Sequence, residues 1–224
     1  MVSRRHSQRV QRVVVIGLGR FGGSLATELT RLGCEVLGLD RDAKRVQHFA
    51  DVLTHTAVVD STDDEALAQL DVGEFERAVV GIGSDIEASI LTTSLLSEIG
   101  IEQLWVKAVS RQHARILERV GAHRVILPEY EMGERVAHLV AGRMLDYIEF
   151  EDDYALVKTT PPAEASGKPL GQTKLRIRYG VTVVGIKRPG EAFTYATPDT
   201  VVHPDDVLVV AGRREDVERF ADLV

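Results

Sequence analysis

This chain of 224 residues has little cysteine and no long apolar run, and each absence excludes a class of protein. A single cysteine, Cys34, excludes an internal disulfide and favours a reducing compartment. The longest apolar runs are about five residues, far short of the roughly 20 that cross a bilayer. A net charge of −7 disfavours broad contact with nucleic acid or anionic lipid, which are themselves negative. The protein is therefore expected in the cytoplasm, without a nucleic-acid partner.

Motifs of common catalytic and metal sites are also missing. The seven histidines form no zinc-ligand pattern, and neither G-x-x-x-x-G-K-[ST] nor G-x-S-x-G occurs. These absences disfavour a structural zinc site, and they exclude a P-loop nucleoside triphosphatase and a serine hydrolase of that type. The sequence favours a protein that is not an enzyme.

Strand and helix patterns alternate along residues 12–145, after a basic segment, 1–11, that we predict to be a flexible tail. Between the apolar runs lie helical stretches of about 10 to 15 residues. This alternation predicts an α/β domain with a six-stranded, parallel, doubly wound sheet. The expected strands are Val13–Ile16, Glu35–Leu39, Thr56–Val59, Ala78–Ile82, Leu104–Ala108 and Arg124–Leu127.

The pattern changes near Phe150, and no long helix is expected until the end of the chain. We predict a linker at residues 146–153 and a small α+β lobe at 154–224. Its expected strands are Tyr154–Thr159, Val181–Lys187 and the run "DDVLVVAG", and "REDVERFADLV" reads as a terminal helix.

A glycine loop, "GLGRFG", follows the first strand and opens the first helix. In G-x-G-x-x-G, Gly17 allows a tight turn, Gly19 lets the backbone approach phosphate, and Gly22 allows close helix–strand packing. Phosphates then bind at the positive end of the helix dipole. Strand, loop and helix in this order predict a Rossmann-like nucleotide site.

An acidic residue, Asp40, ends the second strand about 20 residues beyond the loop, where a carboxylate accepts hydrogen bonds from a ribose diol. Such a carboxylate repels a 2′-phosphate and disfavours NADP. The alternative is that Asp40 caps the helix that follows. Arg41, the next residue, is included in the predicted site.

A charged side chain, Arg20, stands inside the glycine loop beside Phe21, which we also include in the site. Hydride transfer does not need a guanidinium there, whereas a further phosphate benefits from one. Arg20 therefore favours a sensor of phosphate number over a dehydrogenase. The alternative is a solvent-facing arginine at a helix start.

Further polar or small residues follow the expected strands, at the sheet edge where this fold binds ligands. Each alone is more often a cap or loop residue, and their convergence supports a site. They are Asp60 and Ser61 after the third strand, Gly83 and Ser84 after the fourth, and Lys107 in the fifth.

Longer segments resemble the regulatory RCK subunits of bacterial potassium uptake systems, the KtrA/TrkA type. The resemblance runs from Val13 to Val224 through "VVVIGLGRFGGSLA", "VLGLDRD", "VVDSTD", "ASILTTSLL", "WVKAVSRQHARILERVGAHRVILPEYEMGERVA" and "DDVLVVAGRREDVERF". It implies dimers that assemble into an octameric ring. The ring is expected on the inner face of the membrane, bound to a separate potassium-translocating subunit or a cation–proton antiporter.

The same resemblance implies that ATP or ADP, or NAD(H) in some members, binds at the glycine loop and sets the shape of the ring. It assigns nucleotide contacts to Gly19, Arg20, Asp40, Asp60, Ser61, Lys107 and His113. Glu129 matches a carboxylate that helps hold Mg²⁺ or Ca²⁺ at a dimer interface. The alternative is that Glu129 only complements a helix dipole. Val59 departs from the family's glycine before the third-strand acid, which affects the geometry expected around Asp60.

The second lobe resembles the carboxy-terminal RCK domain, whose dimer cleft binds cyclic di-AMP in some members. Leu170, Arg176 and Pro198 match that cleft. A surface role for Arg176 is the alternative. Two other classes stay open, an NAD-dependent oxidoreductase or redox sensor and a redox-sensing transcription factor. The first lacks an evident catalytic group and the second lacks a helix-turn-helix, so a regulatory subunit is the favoured reading.

Overall fold

The computed structural model describes residues 10–141 and 144–224. The chain divides into two compact units, one ending at Glu129 and the other beginning at Tyr130. Residues 1–9 of the predicted tail lie outside the described part, and Val10 and Gln11 are exposed. In the described ranges, we find no helix long and apolar enough to cross a bilayer.

A six-stranded sheet forms the first unit, in the order β3-β2-β1-β4-β5-β6, and all its pairings are parallel. The predicted doubly wound architecture is confirmed. Its strands are β1 (Arg12–Ile16), β2 (Glu35–Asp40), β3 (His55–Val58), β4 (Arg77–Val80), β5 (Gln103–Lys107) and β6 (Arg124–Ile126). Its helices are α1 (Arg20–Arg31), α2 (Ala43–Phe49), α3 (Asp64–Gln69), α4 (Ile86–Ile99) and α5 (Arg111–Arg119), with a 3₁₀ turn at Val72–Glu74. The next helix, α6 (Pro128–Val140), contains the boundary between the units.

Both faces of this sheet are buried, which explains the continuous apolar runs. Alternate residues of β1 enter opposite cores: Val14 and Ile16 pack in one, Val13 and Val15 in the other. Several helices begin at a side chain that accepts backbone N–H groups, such as Asp85 before α4 and Ser110 before α5. These caps hold the strand-to-helix loops at the carboxyl edge of the sheet.

An antiparallel sheet forms most of the second unit, in the order β10-β9-β11-β8-β7. Its strands are β7 (Asp146–Phe150), β8 (Tyr154–Thr159), β9 (Thr182–Lys187), β10 (Thr194–Tyr195) and β11 (Val207–Arg213). Its other helices are α7 (Leu170–Thr173), α8 (Leu175–Tyr179) and α9 (Arg214–Ala221). The predicted lobe, with its closing strand and terminal helix, is present.

The predicted linker at residues 146–153 is instead strand β7 and the turn after it. β7 pairs with β8 along its whole length, and Tyr147 opposes Val157 with only 3% of its surface exposed. Arg135 of α6 donates to the Asp146 carboxylate at 2.7 Å and fixes the start of the strand. The second unit therefore begins at Tyr130, before the boundary at 145 that the sequence suggested.

We expect Phe220→Ala to lower the free energy of unfolding by about 3 kcal/mol or more, because it leaves a cavity in a closed core. Phe220 is fully buried among Val157, Leu208 and other apolar side chains. Phe193→Ala is the matched control, since that ring is 48% exposed, and it should cost less than about 1 kcal/mol. Urea unfolding followed by circular dichroism measures both; equal losses would contradict this account of the core.

Candidate nucleotide-binding site

Two glycines of the loop are required by the protein's own packing. Gly17 has φ +91°, and a Cβ there would lie 3.1 Å from the backbone of Gly81 and Ile82. A Cβ on Gly22 would lie 1.9 Å from the carbonyl oxygen of Gly17. The predicted roles of both residues, a tight turn and close approach of α1, are confirmed by this geometry.

Gly19 differs, because no packing inside the chain requires it. It is the N-cap of α1 with an ordinary φ of −73°, and no side chain caps the helix there. The nearest atom to a Cβ at Gly19 would be Arg45 Nη1, at 4.0 Å. Among the described residues, the Arg45 guanidinium is thus the nearest group to this side of Gly19, and the space beside it is open. An open helix N-terminus of this kind suits a phosphate group.

Arg20 is the first residue of α1 and its side chain is exposed. Within residues 10–141 and 144–224, its guanidinium has no hydrogen bond or ion pair of its own. Its charge still acts at a distance, as the least of the effects that lower the pKa of Glu129. The cation predicted inside the loop is thus available to an incoming anion.

Asp40 turns its carboxylate toward the loop instead of capping α2. Oδ2 accepts from the Leu18 amide at 2.7 Å, and Oδ1 accepts from the Asp42 amide at 2.9 Å. The helix cap is Asp42, which accepts from the Lys44 amide, so the alternative of Asp40 as helix cap does not hold. A carboxylate has about four acceptor positions, and because Arg45 Nη1 also donates to Oδ2, at 3.4 Å, about one remains open. Ribose binding by Asp40 stays a prediction.

Around Asp40 lie two residues that sequence reasoning missed. Arg45 donates to Asp40 Oδ2 at 3.4 Å and also faces Gly19. Leu18 holds the same carboxylate through its backbone amide. Arg45 could have been found because it follows Asp40 by five residues, on the first turns of the next helix. No side-chain pattern signals a backbone donor such as Leu18.

The residues after β3 have unequal surroundings. Asp60 is exposed, and hydrogen bonds from the Thr62 hydroxyl and amide hold its pKa below the usual range. Ser61 is buried, with its hydroxyl 2.8 Å from the hydroxyl of Thr92 on α4. Ser61 therefore links the segment after β3 to α4 through a side-chain hydrogen bond. Its direct contact with a nucleotide, implied by the resemblance, stays a prediction.

Three residues of the predicted site, Glu129, Phe21 and Gly83, lie close to a fourth, Lys107. Its Nζ lies 2.5 Å from Glu129 Oε1, 5.7 Å from the centre of the Phe21 ring, and 3.4 Å from where a Cβ of Gly83 would be. The hydrogen bond from Lys107 is the main cause that keeps the pKa of Glu129 below its usual range. Ser84, which follows Gly83 in the chain, is exposed.

The donor set for a divalent cation is incomplete in the chain as described. Nowhere in residues 10–141 and 144–224 do three or more His, Cys, Asp or Glu side chains gather as metal ligands. Glu129 is the single predicted ligand, and its charge is already matched by Lys107. A site for Mg²⁺ or Ca²⁺ fits these residues only if ligand phosphates or a second chain supply more oxygens.

His113 is 2% exposed, near the start of α5. Its Nδ1 accepts from the Val109 amide at 3.4 Å, and its buried Nε2 has no hydrogen-bond partner among the residues that the structure describes. Burial lowers the pKa of the imidazole and favours the neutral form. A buried polar atom without a partner is rare, and it is consistent with a ligand contact predicted for His113.

In the second unit, Leu170 and Pro198 are brought together. The Gly171 amide, next to Leu170, donates to the Pro198 carbonyl at 2.8 Å. Arg176 is exposed on α8 and donates to the Thr182 hydroxyl at 3.1 Å. Cyclic dinucleotide binding at these residues stays a prediction.

Comparison with known proteins decides the family. Residues 13–128 match the TrkA-N domain and residues 154–224 match the TrkA-C domain. The Ktr system potassium uptake protein C of Bacillus subtilis (strain 168) is 38% identical over 211 residues, covering 94% of this chain and 96% of that protein. The chain belongs to the family of proteins that combine a TrkA-N and a TrkA-C domain. The predicted resemblance is confirmed.

A second relative agrees with this family assignment, and solved structures share the fold. The Ktr system potassium uptake protein A of Vibrio alginolyticus is 34% identical over 202 residues, 90% of this chain and 92% of that protein. The GsuK RCK domain has the same fold, with a TM-score of 0.65 at 16% identity over 97% of this chain and 48% of its own. The GsuK channel bound to NAD has a TM-score of 0.64 at 16% identity, over 96% and 40%.

We expect Gly22→Ala to lower the free energy of unfolding by about 2 kcal/mol or more, because its Cβ overlaps the Gly17 carbonyl. Gly133→Ala is the control, since Gly133 also lies in a helix and a Cβ there meets nothing within 4 Å. That variant should be neutral or more stable by up to about 1 kcal/mol. Chemical denaturation compares the two, and a tolerated Gly22→Ala would contradict the close approach of α1 to the loop.

Proposed function

We propose that the protein is the regulatory subunit of a potassium transport system, and that a nucleotide at the glycine loop controls it. The observation that carries this proposal is the open N-terminus of α1 at Gly19, beside an Arg20 guanidinium without a protein partner in the described chain. Relatives over nearly the full length are potassium uptake proteins, which gives the regulated process.

Phosphate groups bound at this site would accept hydrogen bonds from donors on helix α1 and strand β5. The first amides of α1 face the open space at Gly19, and Arg20 can fork onto two phosphate oxygens. Lys107, on β5, brings an ammonium that is now occupied by Glu129. A nucleotide with more phosphates reaches more of these groups, and it therefore favours whichever shape of the protein assembles them.

ATP or ADP is the proposed ligand, because Arg20 and Lys107 together suit a chain of phosphates better than a neutral nicotinamide. The competing candidate is an NAD(H)-binding redox sensor or oxidoreductase. It is favoured by Asp40 at the position of a ribose acceptor, and a channel of the same fold has been solved with NAD. Calorimetric titration with ATP, ADP and NADH, described below, separates the two candidates.

The proposed partner is a membrane protein that conducts potassium, or a cation–proton antiporter, and the proposed location is the cytoplasmic face of the membrane. We also propose that copies of the chain pair and assemble into a ring, which the family resemblance implies. Exposed apolar side chains on α6, among them Met132 and Val136, are consistent with such contacts.

We expect calorimetric titration to show binding of ATP and ADP, with Arg20→Ala weakening ATP more than ADP because it removes the donor of the extra phosphate. The loss for ATP should be about tenfold or more, as for a hydrogen bond between charged groups. Arg31→Ala is the control, since Arg31 lies at the other end of α1 and pairs with Glu28. Equal losses for ATP and ADP would contradict phosphate counting, and tight NADH binding without ATP binding would favour the redox candidate.

Titrations with Mg²⁺ or Ca²⁺ test the proposed role of Glu129. We expect any gain in ATP affinity from the cation to be lost in Glu129→Gln, since an amide removes the negative oxygen that the cation needs. Glu131→Gln, two residues along the same helix, is the control. An undiminished gain in Glu129→Gln would place the cation elsewhere.

A further inference from the structure

An ion pair links the ends of two strands that are not neighbours in the first sheet. Arg41 directly follows β2, and Asp85 directly precedes α4, in the loop after β4. Arg41 Nη1 donates to Asp85 Oδ2 at 3.2 Å. In the sheet, β1 lies between β2 and β4. The contact therefore passes across the carboxyl end of β1.

That position is the mouth of the proposed nucleotide site. The glycine loop leaves β1 at Gly17, and the strand order reverses between β1 and β4, which is where doubly wound sheets bind ligands. Asp40, next to Arg41, lies on one side of the contact and α4 lies on the other. A nucleotide that reaches from Asp40 to Gly19 would lie along the same edge of the sheet as the Arg41–Asp85 pair.

The charges around Arg41 favour the closed contact at neutral pH. Hydrogen bonds from Thr62 are the main cause that lowers the pKa of Asp60, and a hydrogen bond from the Ala88 amide is the main cause for Asp85. The Arg41 charge lowers both pKa values further. Both carboxylates are thus ionised near the guanidinium. Only Asp85 forms the direct ion pair.

The pair is also easy to open. The Arg41 side chain is 66% exposed and that of Asp85 is 33% exposed. Ion pairs in contact with water are weak and are screened by salt. A contact of this strength can slow the entry of a ligand without preventing it.

We propose that the Arg41–Asp85 ion pair is a strap over the nucleotide crevice, which must open before a nucleotide enters. This inference rests on the proposed function and adds control of access to it. It predicts that loss of either partner speeds association. It also predicts that the loss of both has no larger effect than the loss of one, because one contact is removed in each case.

The test compares Arg41→Gln, Asp85→Asn and the double variant by stopped-flow binding of an ATP with a fluorescent adenine ring, whose phosphates and ribose are unmodified. Asparagine keeps the acceptor that caps α4, so Asp85→Asn leaves the helix start intact. We expect all three variants to associate about two- to five-fold faster than the unmodified protein at low salt. In 1 M salt the unmodified protein should approach the variants, because the ion pair is screened.

The two single variants change the net charge in opposite directions, which separates a strap from simple steering of an anionic ligand. Rates that rise in Asp85→Asn and fall in Arg41→Gln would show steering and overturn the strap. Unchanged rates in both would overturn it too. Failure of the unmodified protein to bind ATP, ADP or NADH in calorimetry would contradict the proposed function itself, and the strap with it.

Discussion

The close approach of α1 to the glycine loop is the constraint on which the first unit depends. At Gly22 the helix comes so near the loop that a Cβ would lie 1.9 Å from the Gly17 carbonyl oxygen, so any side chain would collide there. Helix α1 therefore begins only a short loop after β1, at the point where the strand order of the sheet reverses. The open space at Gly19 follows from this packing. So does the exposed position of Arg20.

Most charged groups of the site are already paired with one another. Arg45 contacts Asp40, Arg41 contacts Asp85, and Lys107 contacts Glu129. Each pair joins a cation to a carboxylate at the sheet edge, and in each pair one partner is at least half exposed, so solvent reaches it. Under the proposed function, a nucleotide would exchange these partners for its own phosphate and ribose oxygens. That exchange would give it the differential affinity for two arrangements on which regulation depends.

The sequence predicted the first unit well because each signal was local. Residues of β1 such as Val13 and Val14 must be apolar to enter cores on opposite faces, and this leaves a readable run. β7 was missed because it lies at a sheet edge and four of its five residues are acidic or exposed, so it leaves no continuous apolar run. Only its hydrogen bonds to β8 and the burial of Tyr147 make it a strand.

The sequence by itself determined the glycine loop, the acid that ends β2 and the alternation of strands and helices, because glycine conformation and apolar periodicity are properties of short segments. The tertiary structure alone decided which charges meet. Arg41 and Asp85 are 44 residues apart, and Lys107 and Glu129 are 22 apart, and nothing local connects either pair. They meet because parallel strands bring their carboxyl ends to one edge, where long side chains of opposite charge reach across the sheet.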